Sequence, residues 1–174
     1  MKVAYINLRT GVYDQYHHLL EFLQSEENVC ILCCAESKIS IKEEIPQIEG
    51  FSSFSLNPAK LVIYVRNHVG LRVVPICEGM PAFAVIGRQT TVLCMYSEFT
   101  KKGIAGSYRV TDRQRLEFIK ATYYAYDKMQ YKRSMCVGDL NFCRFDENKK
   151  EAKELTRFFE ERGFENRVFQ YTRL

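Results

Sequence analysis

The stretch Ser134-Met135-Cys136-Val137-Gly138-Asp139-Leu140-Asn141-Phe142 is a short apolar run that breaks on a glycine and then presents a carboxylate and a carboxamide. On an extended backbone, residues i and i+2 point to the same side. Asp139 and Asn141 therefore face one spot at the carboxyl end of a strand. Such a pair can coordinate a hard cation or hold a phosphate. The same two residues also suit a purely local role, as an Asx-type turn that closes a strand.

Three other residues stand in the same kind of place. Lys2-Val3-Ala4-Tyr5-Ile6-Asn7-Leu8 reads as a buried strand closing on Asn7. Val29-Cys30-Ile31-Leu32-Cys33-Cys34-Ala35 is almost wholly apolar, as in a strand covered on both faces, and runs into Glu36-Ser37-Lys38. Thr91 to Tyr96 ends on Tyr96. If these strand ends gather at one rim, Asn7, Glu36, Tyr96, Asp139 and Asn141 form one polar cluster suited to phosphoryl chemistry. Glu36 can hold a divalent cation, Asn7 and Asn141 can orient groups around it, and Asp139 can align or deprotonate a water. The donors are hard oxygens with no clustered thiolate or imidazole, which selects Mg²⁺, with Mn²⁺ as a substitute.

The elements that must position these groups follow from periodicity. Asp14 has the character of an N-cap. Tyr16, Leu19, Leu20 and Leu23 follow it at the spacing of an amphipathic helix, with His17 and His18 on or beside the polar face. Lys60–Arg66 and Gly70–Val74 flank Asn67-His68-Val69 and read as a hairpin. Ala82–Ile86 and Thr91–Tyr96 flank Gly87-Arg88-Gln89-Thr90 and read as a second one. Residues 98–110 read as loop. Thr111-x-x-Gln114 is a capping box opening a helix with Leu116, Ile119, Tyr123 and Tyr126 on one face. Asp146 is placed to cap a third helix with Ala152, Leu155, Phe158 and Phe159 as its stripe and Gly163 as its C′ residue. Val168 to Tyr171 can begin one more strand. The order predicts an α+β fold in layers, helices covering antiparallel-rich sheets.

Composition agrees. The 174 residues suit one domain, 1–174, and 47% hydrophobic with 26% charged residues marks a globular chain. No apolar run approaches the roughly 20 residues of a membrane span, and the N-terminus enters a strand pattern directly, so the expectation is an intracellular protein of nucleus or cytoplasm with no membrane contact. The seven cysteines, odd in number and mostly inside apolar runs, fit free thiols in a reducing compartment. Cys30-x-x-Cys33 lies within a strand, where residues three apart face opposite sides, and no second Cys or His pair at zinc spacing accompanies it. Charge is uneven: residues 1–87 hold 7 Lys+Arg against 9 Asp+Glu, and residues 88–174 hold 18 against 12. The excess peaks at Lys101, Lys102, Arg109, Arg113 and Arg115, with Lys132 and Arg133 beyond. A basic face beside a cation site fits a polyanion such as nucleic acid; a merely solvated face gives the same pattern.

The motifs, in this order, resemble those of the endonuclease/exonuclease/phosphatase superfamily, which includes apurinic endonucleases, DNase I and the endonuclease domains of non-LTR retrotransposons. Val3–Asn7 is similar to the family's first strand with its terminal Asn. Ile31–Lys38 resembles its metal-binding Glu motif, Val92–Tyr96 the strand bearing the phosphate-contacting Tyr, and Val137–Asn141 the Gly-Asp-x-Asn motif. Lys60–Val74, and Thr172-Arg173, look most like the retrotransposon branch. The resemblance implies a DNase I-like layered β-sandwich, an Mg²⁺-dependent phosphodiesterase acting on DNA, Glu36 as metal ligand, and Asp139, Asn141, Tyr96 and Asn7 as catalytic residues.

The departures shape the functional expectation. Ala35 stands where many members have Gln, and Ser97-Glu98-Phe99 where many have Pro. The family's late Asp and its Ser-Asp-His motif have no counterpart, and His17, His18 and His68 come far too early to match. The resemblance thus implies a sandwich lacking its last strands, an impaired or incomplete nuclease, and an exposed sheet edge open to a second copy or a partner chain. The alternative is an inactive binding or assembly module derived from a nuclease fold.

Overall fold

The computed structural model describes residues 1–98, 100–103, 106–129, 133–142 and 150–165. Strand β1 (Lys2–Asn7) leads through helix α1 (Val12–Ser25) to β2 (Val29–Ala35), which lies parallel to β1. Then come β3 (Phe51–Asn57) and β4 (Leu61–Arg66), and the first sheet has the order β1-β2-β4-β3. The second sheet holds β5 (Arg72–Ile76), β6 (Ala82–Ile86), β7 (Thr90–Tyr96) and β10 (Arg133–Asp139) in the order β10-β7-β6-β5. Between β7 and β10 lie a small hairpin, β8 (Thr100–Gly103) with β9 (Gly106–Arg109), and helix α2 (Asp112–Asp127). Helix α3 (Lys150–Glu160) follows β10.

The two sheets pack face to face, and alternation explains how. In β2, Ile31, Cys33 and Ala35 join Leu61, Ile63 and Val65 of β4 against Phe83, Val85, Val92, Cys94 and Tyr96 of the second sheet. The intervening Leu32 and Cys34 face outward, onto Val12, Leu19 and Leu23 of α1. The outer face of the second sheet, with Ala84, Leu93 and Met95, is covered by Leu116, Ile119, Tyr123 and Tyr126 of α2 and by Leu155 and Phe158 of α3. The layers run helix, sheet, sheet, helices. Both faces of the central strands are covered, hence their unbroken apolar runs.

Four details differ from the sequence expectation. Gly11, with φ 113°, occupies the N-cap of α1, so Asp14 sits inside the first turn, where its charge meets the helix dipole. β4 and β5 are not a hairpin. Both edges of β4 are already taken by β2 and β3, so the turn at 67–70 carries the chain from one sheet to the other, with His68 at φ 62° and Gly70 at φ 70°. The hairpin partner of β4 is β3, an edge strand whose serines gave no apolar alternation. The segment expected as loop at 98–110 contains β8 and β9.

The other local readings agree with the structure. β6 and β7 form the expected hairpin. Both arms of the Thr111–Gln114 capping box are present. Gly163 closes α3 at φ 75°, with Phe164 N–H reaching back to Phe159 O at 3.0 Å. Asp146, Val168–Tyr171 and Thr172-Arg173 lie outside the described residues. The described cysteines are free, with Cys33 buried and Cys30 half-buried. Among the described residues no helix is long and apolar enough to cross a membrane.

Candidate active site at the shared rim of two sheets

Parallel pairing aligns the strand ends. Asn7 lies opposite Ala35, one residue before Glu36, and Tyr96 lies opposite Asp139. The carboxyl ends of β1, β2, β7 and β10 thus form one rim, to which each sheet contributes a pair of strands.

Side chains close the gap between the sheets. Asn7 Nδ2 donates to Glu36 Oε1 at 3.1 Å and also lies 3.3 Å from Asp139 Oδ2. The Tyr96 hydroxyl donates to Glu36 Oε1 at 3.4 Å. Asn7 Oδ1 in turn accepts from Arg9 N–H at 3.0 Å, which fixes its amide orientation. Asn141 N–H donates to Asp139 Oδ1 at 2.8 Å, an Asx turn, while Asn141 Nδ2 donates to the Ser97 carbonyl. The local turn and the shared cluster, left as alternatives by the sequence, are both present. Asn7, Glu36, Tyr96, Asp139 and Asn141 are brought together, the first two from one sheet and the rest from the other.

The backbone here is unusual. Arg9, Glu36, Lys38 and Asn141 are left-handed, with φ of 46°, 53°, 54° and 54°. Among described non-glycine residues only His68 shares that conformation. It lies at the far end of the sandwich, beyond Val65, which pairs with Ile31 rather than with the rim. Each such residue costs on the order of 1 kcal/mol, and such costs concentrate at functional sites. Glu36 is held in place by its N–H donating to Lys60 O at 2.8 Å.

Burial and charge tune the phenols. Tyr96, 4% exposed, is pushed up to about 12, first by burial and then by the Glu36 charge, with the Asn141 side chain working against both. It stays a protonated donor. Tyr5, two residues before Asn7 on the same strand face, is pushed far above the usual tyrosine range by burial and then by the Asp139 charge. Its buried hydroxyl has no hydrogen-bond partner among the described residues.

The basic residues fare unevenly. The side chains of Lys101 and Lys102 lie outside the described part of the structure, as does Lys132. Arg109 is exposed. Arg113 is occupied by Glu117 Oε1 at 2.7 Å and Glu154 Oε2 at 2.9 Å. Arg115 corrects the expectation of a nucleic-acid contact. It is 2% exposed, its Nη1 donates to Asn141 O at 2.7 Å, its Nη2 pairs with Asp112, and its guanidinium covers the Phe142 ring at 4.9 Å. Arg9 and Lys38, not singled out from the sequence, are exposed cations two residues beyond Asn7 and Glu36; the Asn-x-Arg and Glu-x-Lys spacing was the available signal. His17 and His18 pair with Glu21 on the exposed side of α1.

Glu36 is the rim residue that could hold a hard cation. Both bonds to Glu36 land on Oε1, leaving Oε2 without a bond among the described residues. No group of three or more His, Cys, Asp and Glu gathers among them.

The sequence matches no family profile and no curated protein. Solved structures are similar in shape. The endonuclease domain of TRAS1, a telomere-specific non-LTR retrotransposon, superposes with a TM-score of 0.59 at 19% identity, over 91% of this chain and 70% of that one. An AP endonuclease from Archaeoglobus fulgidus gives a TM-score of 0.63 at 12% identity, over 91% and 69%. The chain has the DNase I-like endonuclease fold. The AP endonuclease LMAP from Leishmania major shares it too, with a TM-score of 0.59 at 14% identity, over 91% of this chain and 65% of that one. In this DNase I-like domain the polar rim lies at the carboxyl ends of the parallel-paired strands of both sheets.

Proposed function

We propose that this domain is a divalent-metal-dependent phosphodiesterase that nicks nucleic acid, DNA being the substrate class suggested by its AP-endonuclease and retrotransposon-endonuclease neighbours. The observation that carries the reading is the Asn7 amide bridging Glu36 and Asp139 at the rim. It keeps two carboxylates from different sheets side by side, where their mutual repulsion would otherwise separate them.

Each side chain has a role in this reading. Glu36 would hold Mg²⁺ or Mn²⁺, and a cation there would neutralise charge that builds on the phosphate in the transition state. Asp139 orients the attacking water and takes its proton. The Tyr96 phenol and the Asn141 carboxamide donate to phosphate oxygens, and Arg9, Lys38 and Arg109 draw in the polyanion. Among the described residues no histidine stands at the rim to protonate the leaving oxygen.

A second reading is a binding or assembly module. Among the described strands, β1 and β10 are the terminal ones of their sheets and lie on the same flank, which would offer an edge to a partner strand or a second copy. Nicking of supercoiled plasmid with Mg²⁺, Mn²⁺ or EDTA, beside Glu36→Ala and Asp139→Ala, separates the two. Metal-dependent nicking lost in both variants supports the nuclease. DNA retained without any nicking by the wild-type protein supports the module.

A further inference from the structure

We propose that Arg115 is a positioning residue for the rim: from beneath, it holds Asn141 in its left-handed conformation and so sets where the Asn141 carboxamide and the Asp139 carboxylate stand. The inference builds on the proposed nuclease site for its kinetic consequence, but its geometric content is independent of it.

A guanidinium at 2% exposure is costly to bury unless its bonds are well made. Helix α2 does not need it. That helix has a complete capping box, and an apolar side chain at 115 would extend the stripe of Leu116, Ile119 and Tyr123 equally well. What the arginine adds is a rigid, charge-assisted donor on the Asn141 carbonyl at 2.7 Å. Its other nitrogen is anchored on Asp112, one helical turn back, and Phe142 lies against its face. The capping box at Thr111 sets the phase of the helix, with Arg115 N–H on Thr111 O at 3.0 Å, so the fork leaves the helix at a fixed height.

Asn141 is the residue in need of such a hold. Its backbone is left-handed, φ 54°, and its groups are linked to the site: N–H to Asp139 Oδ1, side chain to the carbonyl of Ser97, the residue after Tyr96. Rotation of the peptide after Asn141 would release its carbonyl and, through the same residue, the N–H that aligns Asp139. Arg115 therefore acts on the chemistry through Asn141, touching neither metal nor nucleic acid.

The test uses the full chain with Arg115→Lys, Arg115→Ala and Asp112→Asn. Two quantities are read: plasmid nicking with kcat and KM separated, and hydrogen exchange of the Asn141 backbone amide by NMR. We expect kcat to fall about a hundredfold in Arg115→Ala, the usual cost of a misplaced catalytic group, with KM for DNA within about threefold of wild type. Arg115→Lys recovers part of the loss, millimolar methylguanidine recovers part of the Arg115→Ala loss, and Asp112→Asn gives a smaller fall in the same direction. Exchange at Asn141 accelerates in the same rank order. A raised KM with unchanged kcat would make Arg115 a nucleic-acid contact and overturn the proposal, as would wild-type exchange at Asn141 in Arg115→Lys and Asp112→Asn. Should Arg115→Ala not fold, those two variants carry the test. If the wild-type protein does not nick DNA, the nuclease reading fails, and the exchange measurement alone decides the positioning role.

Discussion

A β-carbon on Gly138 would stand 1.8 Å from the carbonyl oxygen of Met95. Strands β7 and β10 approach so closely there because Gly138, at φ 151°, lets β10 turn its last residues onto the rim, one position before Asp139. The obstructing atom is backbone and cannot swing aside. Gly138→Ala should therefore pull β10 away from β7 and cost several kcal/mol, on the order of 3 or more. Urea unfolding followed by circular dichroism checks this, and a change below about 1 kcal/mol would contradict the close approach.

Glu36 and Asp139 have different tasks in the proposed chemistry and should separate experimentally. Glu36→Gln keeps the shape and the Asn7 bond but removes the ligand charge, so Mn²⁺ affinity measured by calorimetry should fall at least about tenfold. Asp139→Asn should retain most of that affinity while turnover drops by about 10²–10⁴. Equal loss of metal binding in both variants would place the ion between the two carboxylates instead.

Alkaline pH should unfold the chain through its buried phenols. Tyr96 is pushed up to about 12 against an ordinary value of 10.0, and Tyr5, Tyr64 and Tyr126 are pushed higher, burial being the first cause for all four. Between those values the native state binds protons that the unfolded state has lost. Their contribution is fully present below pH 10 and disappears as pH rises toward 12 and beyond, each phenol removing at most about 1.4 kcal/mol for every pH unit climbed. Thermal midpoints measured from pH 8 to 11.5 should fall steeply in the upper half of the range. Absorbance at 295 nm should show four of the eleven tyrosines ionising only with unfolding.

Tyr5→Phe should not weaken the fold. The hydroxyl is buried without a partner among the described residues, so its removal relieves a desolvation cost of about 1 kcal/mol and breaks none of their bonds. A midpoint in urea equal to or above wild type is the expected result. A clear loss of stability would mean that the hydroxyl holds an ordered water under the carboxylates.

Much of this architecture was legible in residue order because burial on both faces writes an unmistakable pattern. Val29–Ala35 and Thr91–Tyr96 could be little else than central strands, and Thr111-x-x-Gln114 announced its helix by the two bonds it makes. The polar ends Asn7, Glu36, Tyr96, Asp139 and Asn141 were visible for the same reason, as breaks in apolar runs. β3 was not, since Phe51–Asn57 is an edge strand in which serines replace the alternation. The turn at 67–70 has the length and residue types of a hairpin, and only the occupancy of both β4 edges shows otherwise. Charge misled at Arg115, because a sequence displays a cation but not its burial. Tyr5 was hidden as one more apolar residue of its strand.

The two sheets divide the rim between them. Asn7 and Glu36 come with one, Tyr96, Asp139 and Asn141 with the other, and the bonds Asn7–Asp139 and Tyr96–Glu36 cross the gap. Neither sheet alone assembles the polar cluster. A chain still emerging from the ribosome, or one with a single sheet formed, lacks the bonds that cross the gap, so the proposed activity should be absent from it. The appearance of plasmid nicking during refolding, expected of the proposed nuclease, would then time the last docking event of the sandwich.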